Sequence, residues 1–343
     1  MISGMKQAAA SGRRVLVLDV AADAGGALSV LREYYDRLKS DKKTQYIFCV
    51  GLPELEETDT IRICRFPWVK KSWLHRLWFD HVVVQRLVRR LRVDAVLSLQ
   101  NLRISRVRLP QTVYLHQALP FSEHRFRLWE NPRFWIYQHI IGRSIRSSVK
   151  KADRVIVQTR WMKETVCRQT GVAPEKIRVQ PPRLPTDMPY HFDAAAWRRR
   201  FFYPAAAYSY KNHAVILQAM DRLAAEGFAD YEVLLTLRKE ELPAAARYPA
   251  IREQLRFLGP LAYEEVLRLY AETVLVFPSY IETLGLPLLE AALAGAPILA
   301  SDCPFSREIL ADYPSVGFFD PFRSDMLAES MRKLLTPEGM ASI

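Results

Sequence analysis

With 343 residues, half of them apolar and a quarter charged, the chain has the composition of a soluble globular protein and the length for two α/β domains that each bury a core. No uninterrupted apolar run reaches the roughly 18 to 20 residues of a membrane span, and no apolar stretch follows Lys6, Arg13 and Arg14, so neither an integral membrane class nor a secretory leader is expected. The net charge of +12 is uneven: residues 1–190 hold 34 Lys and Arg against 17 Asp and Glu, which implies a basic surface for an anionic partner in that half. Cys49, Cys64, Cys167 and Cys303 lack metal or redox spacing and read as reduced core thiols of a cytosolic protein.

The first strand is expected over 14–18, followed by Gly25-Gly26 and an amphipathic helix carrying Leu28, Leu31, Tyr35 and Leu38. Strand, glycine turn and helix let backbone approach a phosphate, although the same pattern also serves as a plain tight turn and is not G-x-G-x-x-G. Strands follow at 46–50 and 61–64. Between Arg62 and Pro110, twelve Lys and Arg meet only Asp80 and Asp94, interleaved with Trp68, Trp73, Leu74, Leu77, Trp78 and Phe79. Three readings stand: an amphipathic segment on an anionic bilayer, an ordinary core helix, or a nucleic-acid patch.

Strands at 94–97 and 112–115 come next, the second delivering His116 at its carboxyl end, where open α/β sheets bind ligands and where a histidine can equally be structural. A helical pattern over 134–150, a strand at 154–158, a helix ending at Gly171 and a strand at 176–179 complete the first half. Pro181, Pro182, Pro185 and Pro189 read as a linker, giving domains 1–185 and 186–343.

The second half opens with a strand at 201–207, then Lys211 just before a helix over 214–223, where an ammonium can reach a diphosphate. Strands at 231–237 and 255–259 and a helix at 263–270 lead to the richest stretch. Here a strand at 274–277 is stopped by Pro278-Ser279, Glu282 lies in a loop, Gly285 permits left-handed backbone, and Pro287 suits the first turn of a helix ended by Gly295. A strand at 297–300 closes a βαβ unit, and a last helix is expected over 326–335. Amides near Leu284, Gly285 and Leu286 point out of the helix start and favour an anion, while Glu282 and Glu290 can accept hydrogen bonds from sugar hydroxyls.

Two glutamates separated by seven residues, with Gly-Leu-Pro between them and Glu-Ala-x-x-Ala-Gly-x-Pro after them, resemble the signature of family-4 retaining glycosyltransferases of the GT-B fold. The resemblance implies two Rossmann-like α/β domains with parallel sheets facing across a cleft that holds the donor. It assigns Glu282 to the donor sugar's hydroxyls, Glu290 to the nucleotide ribose, and Lys211, in a Lys-Asn segment, to the phosphates. Thr283, Leu284, Gly285 and Leu286 complete the donor wall, with Gly25 and Gly26 facing donor phosphate and acceptor, and His116 positioning substrate. The family's Gly-Arg pair is missing, since Tyr203-Pro204-Ala205 stands there, and Arg238 is the candidate replacement cation.

The implied activity is metal-independent transfer, with retention, of a hexose from a GDP- or UDP-sugar, mannose favoured. The acceptor is a glycan or a polyprenyl-diphosphate-linked glycan of bacterial-type surface polysaccharide, at the inner face of the cytoplasmic membrane, with an anionic membrane surface and no nucleic acid as partner. No cofactor is expected. An epimerase or phosphorylase sharing the fold, or a basic nucleic-acid-binding protein, are the alternatives. Family members commonly end in a helix crossing back onto the first domain, and little chain remains here for one.

Overall fold

The computed structural model describes residues 12–23, 25–183, 188–197 and 199–336. The chain divides into two compact units, Met1–Arg183 and Leu184–Ile343. No described helix is long and apolar enough to cross a membrane.

The first unit is a seven-stranded, wholly parallel sheet of β1 (Arg14–Asp19), β2 (Gln45–Val50), β3 (Ile61–Arg65), β4 (Ala95–Ser98), β5 (Gln111–Leu115), β6 (Arg154–Val157) and β7 (Ile177–Val179), in the order β3-β2-β1-β4-β5-β6-β7. Its helices are α1 (Gly25–Lys39), α2 (Trp73–Trp78), α3 (Val84–Arg90), α4 (Pro132–Ile136), α5 (Gly142–Lys151) and α6 (Arg160–Thr170). Side chains alternate across a strand, so β1 feeds two cores. Leu16 and Leu18 join Phe79, Val84 and Leu87, whereas Val17 joins Val30, Leu31 and Tyr34 of α1 on the opposite face. Leu16, Val17 and Leu18 are fully buried, and each such side chain contributes about 1.5–3 kcal/mol of transfer free energy.

The second unit holds β8 (Arg200–Tyr203), β9 (Glu232–Leu235), β10 (Leu255–Phe257), β11 (Val274–Phe277), β12 (Ile298–Ser301) and β13 (Val316–Phe319), again all parallel, ordered β10-β9-β8-β11-β12-β13. The helices are α7 (His213–Ala225), α8 (Tyr263–Tyr270), α9 (Leu286–Leu293), α10 (Pro304–Ile309) and α11 (Ser324–Leu335), with α11 packed on α7. Both units therefore have the parallel, doubly wound architecture expected of Rossmann-like domains.

Three local features differ from expectation. The helical pattern over 134–150 is two helices, α4 and α5, joined by a π-helical turn at Tyr137–Ile141. Strand β13, unexpected from the sequence, extends the second sheet beyond β12. Cys49 and Cys64, scattered along the chain, stand opposite each other on β2 and β3 as free thiols, hydrogen-bonded to one another.

Candidate active site

In each sheet the strand order reverses at one place: between β1 and β4 in the first unit, and between β8 and β11 in the second. Beyond the carboxyl ends of two such strands the connections diverge and leave a crevice, the usual ligand position in open α/β sheets.

At the β8/β11 switch the two expected donor-binding charges meet. Lys211 Nζ donates to Glu282 Oε1 in an ion pair whose side chains are 19% and 16% exposed. Both are carried in on short connections from neighbouring strand ends: Lys211 on a turn of 3-10 helix after β8, Glu282 in the loop after β11. The loops are stitched together by backbone, with Tyr280 N–H donating to the Tyr210 carbonyl at 3.1 Å. Ser279 Oγ lies 2.7 Å from Glu282 Oε1, and the Tyr203 hydroxyl donates to the Lys211 carbonyl at 2.9 Å. The Lys211 ammonium also sits 5.9 Å and 6.0 Å from the ring centres of Tyr210 and Phe277. Asn212, in left-handed conformation at φ 58°, starts α7 and donates to the Pro321 carbonyl at 2.6 Å.

Glu282 is followed by Thr283 and by Leu284, buried beneath the loop; Gly285 then caps α9 at φ 86°, and Leu286 opens the helix. A Cβ on Gly285 would lie 3.2 Å from Leu288 Cδ1, so left-handed backbone and close packing both demand glycine. At the start of α9 the Gly285 and Leu286 amides have no helical carbonyl behind them, Pro287 has no N–H and Leu288 N–H donates to the Gly285 carbonyl at 3.0 Å, while the dipole adds partial positive charge there.

Glu290 is 8% exposed and takes hydrogen bonds from Tyr270 Oη at 3.2 Å and from Tyr263. Burial raises its carboxyl above the ordinary range, and the two tyrosines pull the other way. The Tyr263 hydroxyl is itself pushed up to about 12, by burial first and Glu290 second. Arg238 is exposed at the carboxyl side of β9, its N–H donating to Glu241 Oε2 at 2.8 Å; among the described contacts nothing ties its guanidinium to Lys211 or Glu282.

The first unit carries the other candidates. Gly25 and Gly26 form the first turn of α1 and do not precede it as a separate loop; Gly25 has φ 58°, and the space about both is open. His116, just past β5, is half-buried, with its N–H held by Asn101 Oδ1 at 2.8 Å and its ring hydrogen-bonded to the Leu99 carbonyl. Burial lowers its imidazole to about 4, so at neutral pH the ring is uncharged and one nitrogen is free to accept from a hydroxyl.

Sequence reasoning missed the groups that hold these residues. Ser279 was visible only as a strand stop, and Tyr263 and Tyr270 only as the ends of a helix. Asp19 and Gln100, at the β1/β4 switch, are buried polar side chains with no motif around them. Of these, Asp19 had a usable signal: a carboxylate closing an apolar strand.

Residues 24–187 match the model of "Glycosyltransferase Family 4" and residues 195–342 that of "Glycosyl transferases group 1". The O-antigen chain mannosyltransferase RfbU of Salmonella typhimurium is 23% identical over 211 residues, 59% of this chain and 55% of that one. Across three curated relatives the match covers between 38% and 55% of the relative's length. Among solved structures, sucrose-phosphate synthase from Thermosynechococcus elongatus superposes with a TM-score of 0.74 at 15% identity, over 96% of this chain and 91% of that one. Anabaena Alr3699/HepE, in complex with UDP and glucose, gives 0.67 at 15% identity, over 96% and 92%.

Proposed function

The chain belongs to the family-4 glycosyltransferases of the GT-B fold, and on that premise we propose that it moves a hexose from a GDP- or UDP-sugar, mannose favoured, to a glycan or polyprenyl-diphosphate-linked acceptor of a surface polysaccharide, with retained configuration. The observation that carries the reading is the Lys211–Glu282 pair beside the start of α9. One cation, one carboxylate and a row of amides match the diphosphate and hydroxyls of a sugar nucleotide. The mannosyl preference rests on RfbU and the nucleotide on the UDP bound by HepE.

In this reading the leaving nucleoside diphosphate gathers negative charge as the glycosidic bond breaks. Lys211 and the amides from Leu284 to Leu286, leading into α9, stabilise it, a preorganised electrostatic contribution of the kind worth about 3–4 kcal/mol per donor. Glu282 holds sugar hydroxyls, Glu290 the ribose, and neutral His116 accepts from a substrate hydroxyl. Lys211 and the amides beside it neutralise the phosphates in this reading, and no metal is required. Gly25 and Gly26 leave room for substrate at the α1 start, and Thr283 lines the donor loop.

We also infer that the first unit rests on an anionic membrane surface. Trp73 and Leu74, 64% and 75% exposed on α2, stand among Lys70, Lys71, His75 and Arg76, whereas Trp68 and Phe79 of the same segment pack into the core. Exposed tryptophan with basic neighbours suits a bilayer interface. Acceptor-dependent release of nucleoside diphosphate from a panel of nucleotide sugars tests the transfer. Acceptor-independent interconversion of the sugar would instead mark an epimerase.

A further inference from the structure

We propose that Asp19 and Gln100 form a hydroxyl-binding subsite at the β1/β4 switch of the first sheet, built for a neutral polyol, which on the transferase reading is the acceptor sugar. Asp19 closes β1, and Gln100 follows β4, its neighbour in the sheet. They are 2% and 6% exposed. Asp19 Oδ2 and Gln100 Oε1 have no hydrogen-bond partner among the described residues. An unpaired buried polar atom costs about 1–3 kcal/mol, so two of them at the carboxyl ends of the strands where the order reverses call for a partner.

The ligand's chemistry follows from the neighbours. Both unpaired atoms are acceptors, so the ligand must bring O–H or N–H groups. Asp19 is oriented by the backbone N–H of Ala22, with Ala21 adding a weaker bond. Gln100 Nε2 leans on Asp80 Oδ1 at 3.5 Å, and Asp80 is paired with Arg76 at 2.7 Å. Lys70, the second cation acting on Asp19, is paired with Asp23. The two cations that act on Asp19, Lys70 and Arg76, are thus each matched by a carboxylate, and a neutral sugar hydroxyl is the fitting donor. Burial raises the Asp19 carboxyl to about 7 against the pull of Arg76 and Lys70, so both its forms are present at neutral pH. A hydroxyl, which donates and accepts, can pair with either.

The test uses the whole chain and methyl α-D-mannopyranoside as probe, read by saturation-transfer NMR, alongside the melting shift given by GDP and UDP. Asp19→Asn keeps an oxygen for Ala22 and turns the second acceptor into a donor; Gln100→Met removes the other acceptor at similar volume. Each substitution is expected to weaken hexoside binding about tenfold or more and to leave the nucleotide shift unchanged. Equal hexoside binding by wild type and both variants, or none by wild type, overturns the subsite, as does displacement of the hexoside by inorganic phosphate. Asp19-dependent hexoside binding without any nucleotide shift supports the subsite and counts against the transferase reading instead.

Discussion

Lys211 and Glu282, 71 residues apart in sequence, form an ion pair, each side chain less than one-fifth exposed. The groups that the proposed function gives to the phosphates and to the sugar hydroxyls of one donor are thus paired with each other. Removing either alone strands a partly desolvated charge, which costs more than removing both. Lys211→Ala and Glu282→Ala should each lower the melting temperature, and the double variant should lose less than their sum. A double-mutant cycle by thermal or denaturant unfolding is expected to give a coupling of about 1–3 kcal/mol; strict additivity would mean that the pair contributes no coupling.

Gly285→Ala is expected to cost about 1–2 kcal/mol from left-handed backbone alone, with added strain from the Leu288 methyl at 3.2 Å. Because the same bend aims the α9 amides, donor KM should rise as stability falls. Unfolding curves and donor titration of one preparation check both.

Glu290→Gln keeps the packing around Tyr270 and replaces one acceptor oxygen by an NH2 group. It is expected to fold as wild type and to raise donor KM about tenfold, in line with one charge-assisted hydrogen bond to a ribose hydroxyl. A purely structural Glu290 would instead show a shifted melting temperature and an unchanged KM.

Two buried groups give stability opposite dependence on pH. His213, lowered to about 4 by burial first and Lys211 second, is neutral in the native state. Its contribution of about 3 kcal/mol is complete above pH 6.5 and lost as pH falls toward 4. Asp19, raised to about 7, contributes stability that is complete below 3.8 and lost as pH rises through 7. Relative to wild type, His213→Gln should therefore lose the slope between pH 6.5 and 4. Asp19→Asn should become comparatively more stable above pH 7, which a structural role for the carboxylate would not produce. Melting temperatures from pH 4 to 8 read both.

Vesicles containing about one-third anionic lipid should sediment the protein and blue-shift its tryptophan emission at low salt, less so at high salt. Trp73→Ala with Trp78→Ala is expected to weaken this about thirtyfold or more, since interfacial burial of each ring is worth about 1–2 kcal/mol. Unchanged sedimentation by the double variant would remove α2 from the contact.

The strands are readable in the sequence because each of β1 to β12 is a short, mostly apolar run, aromatic in β8 and β-branched in most of the others. Strand β13 is not: Val316–Phe319 contains Gly317, a weak strand former, whose missing side chain admits Leu299, with its methyl 3.1 Å from where a Cβ would lie. The π-helical turn at Tyr137–Ile141 contains neither Gly nor Pro to mark it in the sequence. In the site, Gly285 is legible from turn and cap chemistry, and Glu282 and Glu290 through the resemblance of the run around them to the family signature. That Lys211 reaches Glu282, that Tyr263 and Tyr270 hold Glu290, and that Asp19 and Gln100 stand at the ends of adjacent strands are consequences of strand order, which local sequence does not encode.

The central claim is that Lys211 and Glu282 bind and activate a nucleotide-sugar donor. Its most direct test is kcat/KM for nucleoside diphosphate release, measured with the best donor of a nucleotide-sugar panel and compared across wild type, Lys211→Ala and Glu282→Ala, with folding checked by circular dichroism. A loss of about 100-fold or more in each folded variant is expected; near wild-type release by either would contradict the assignment.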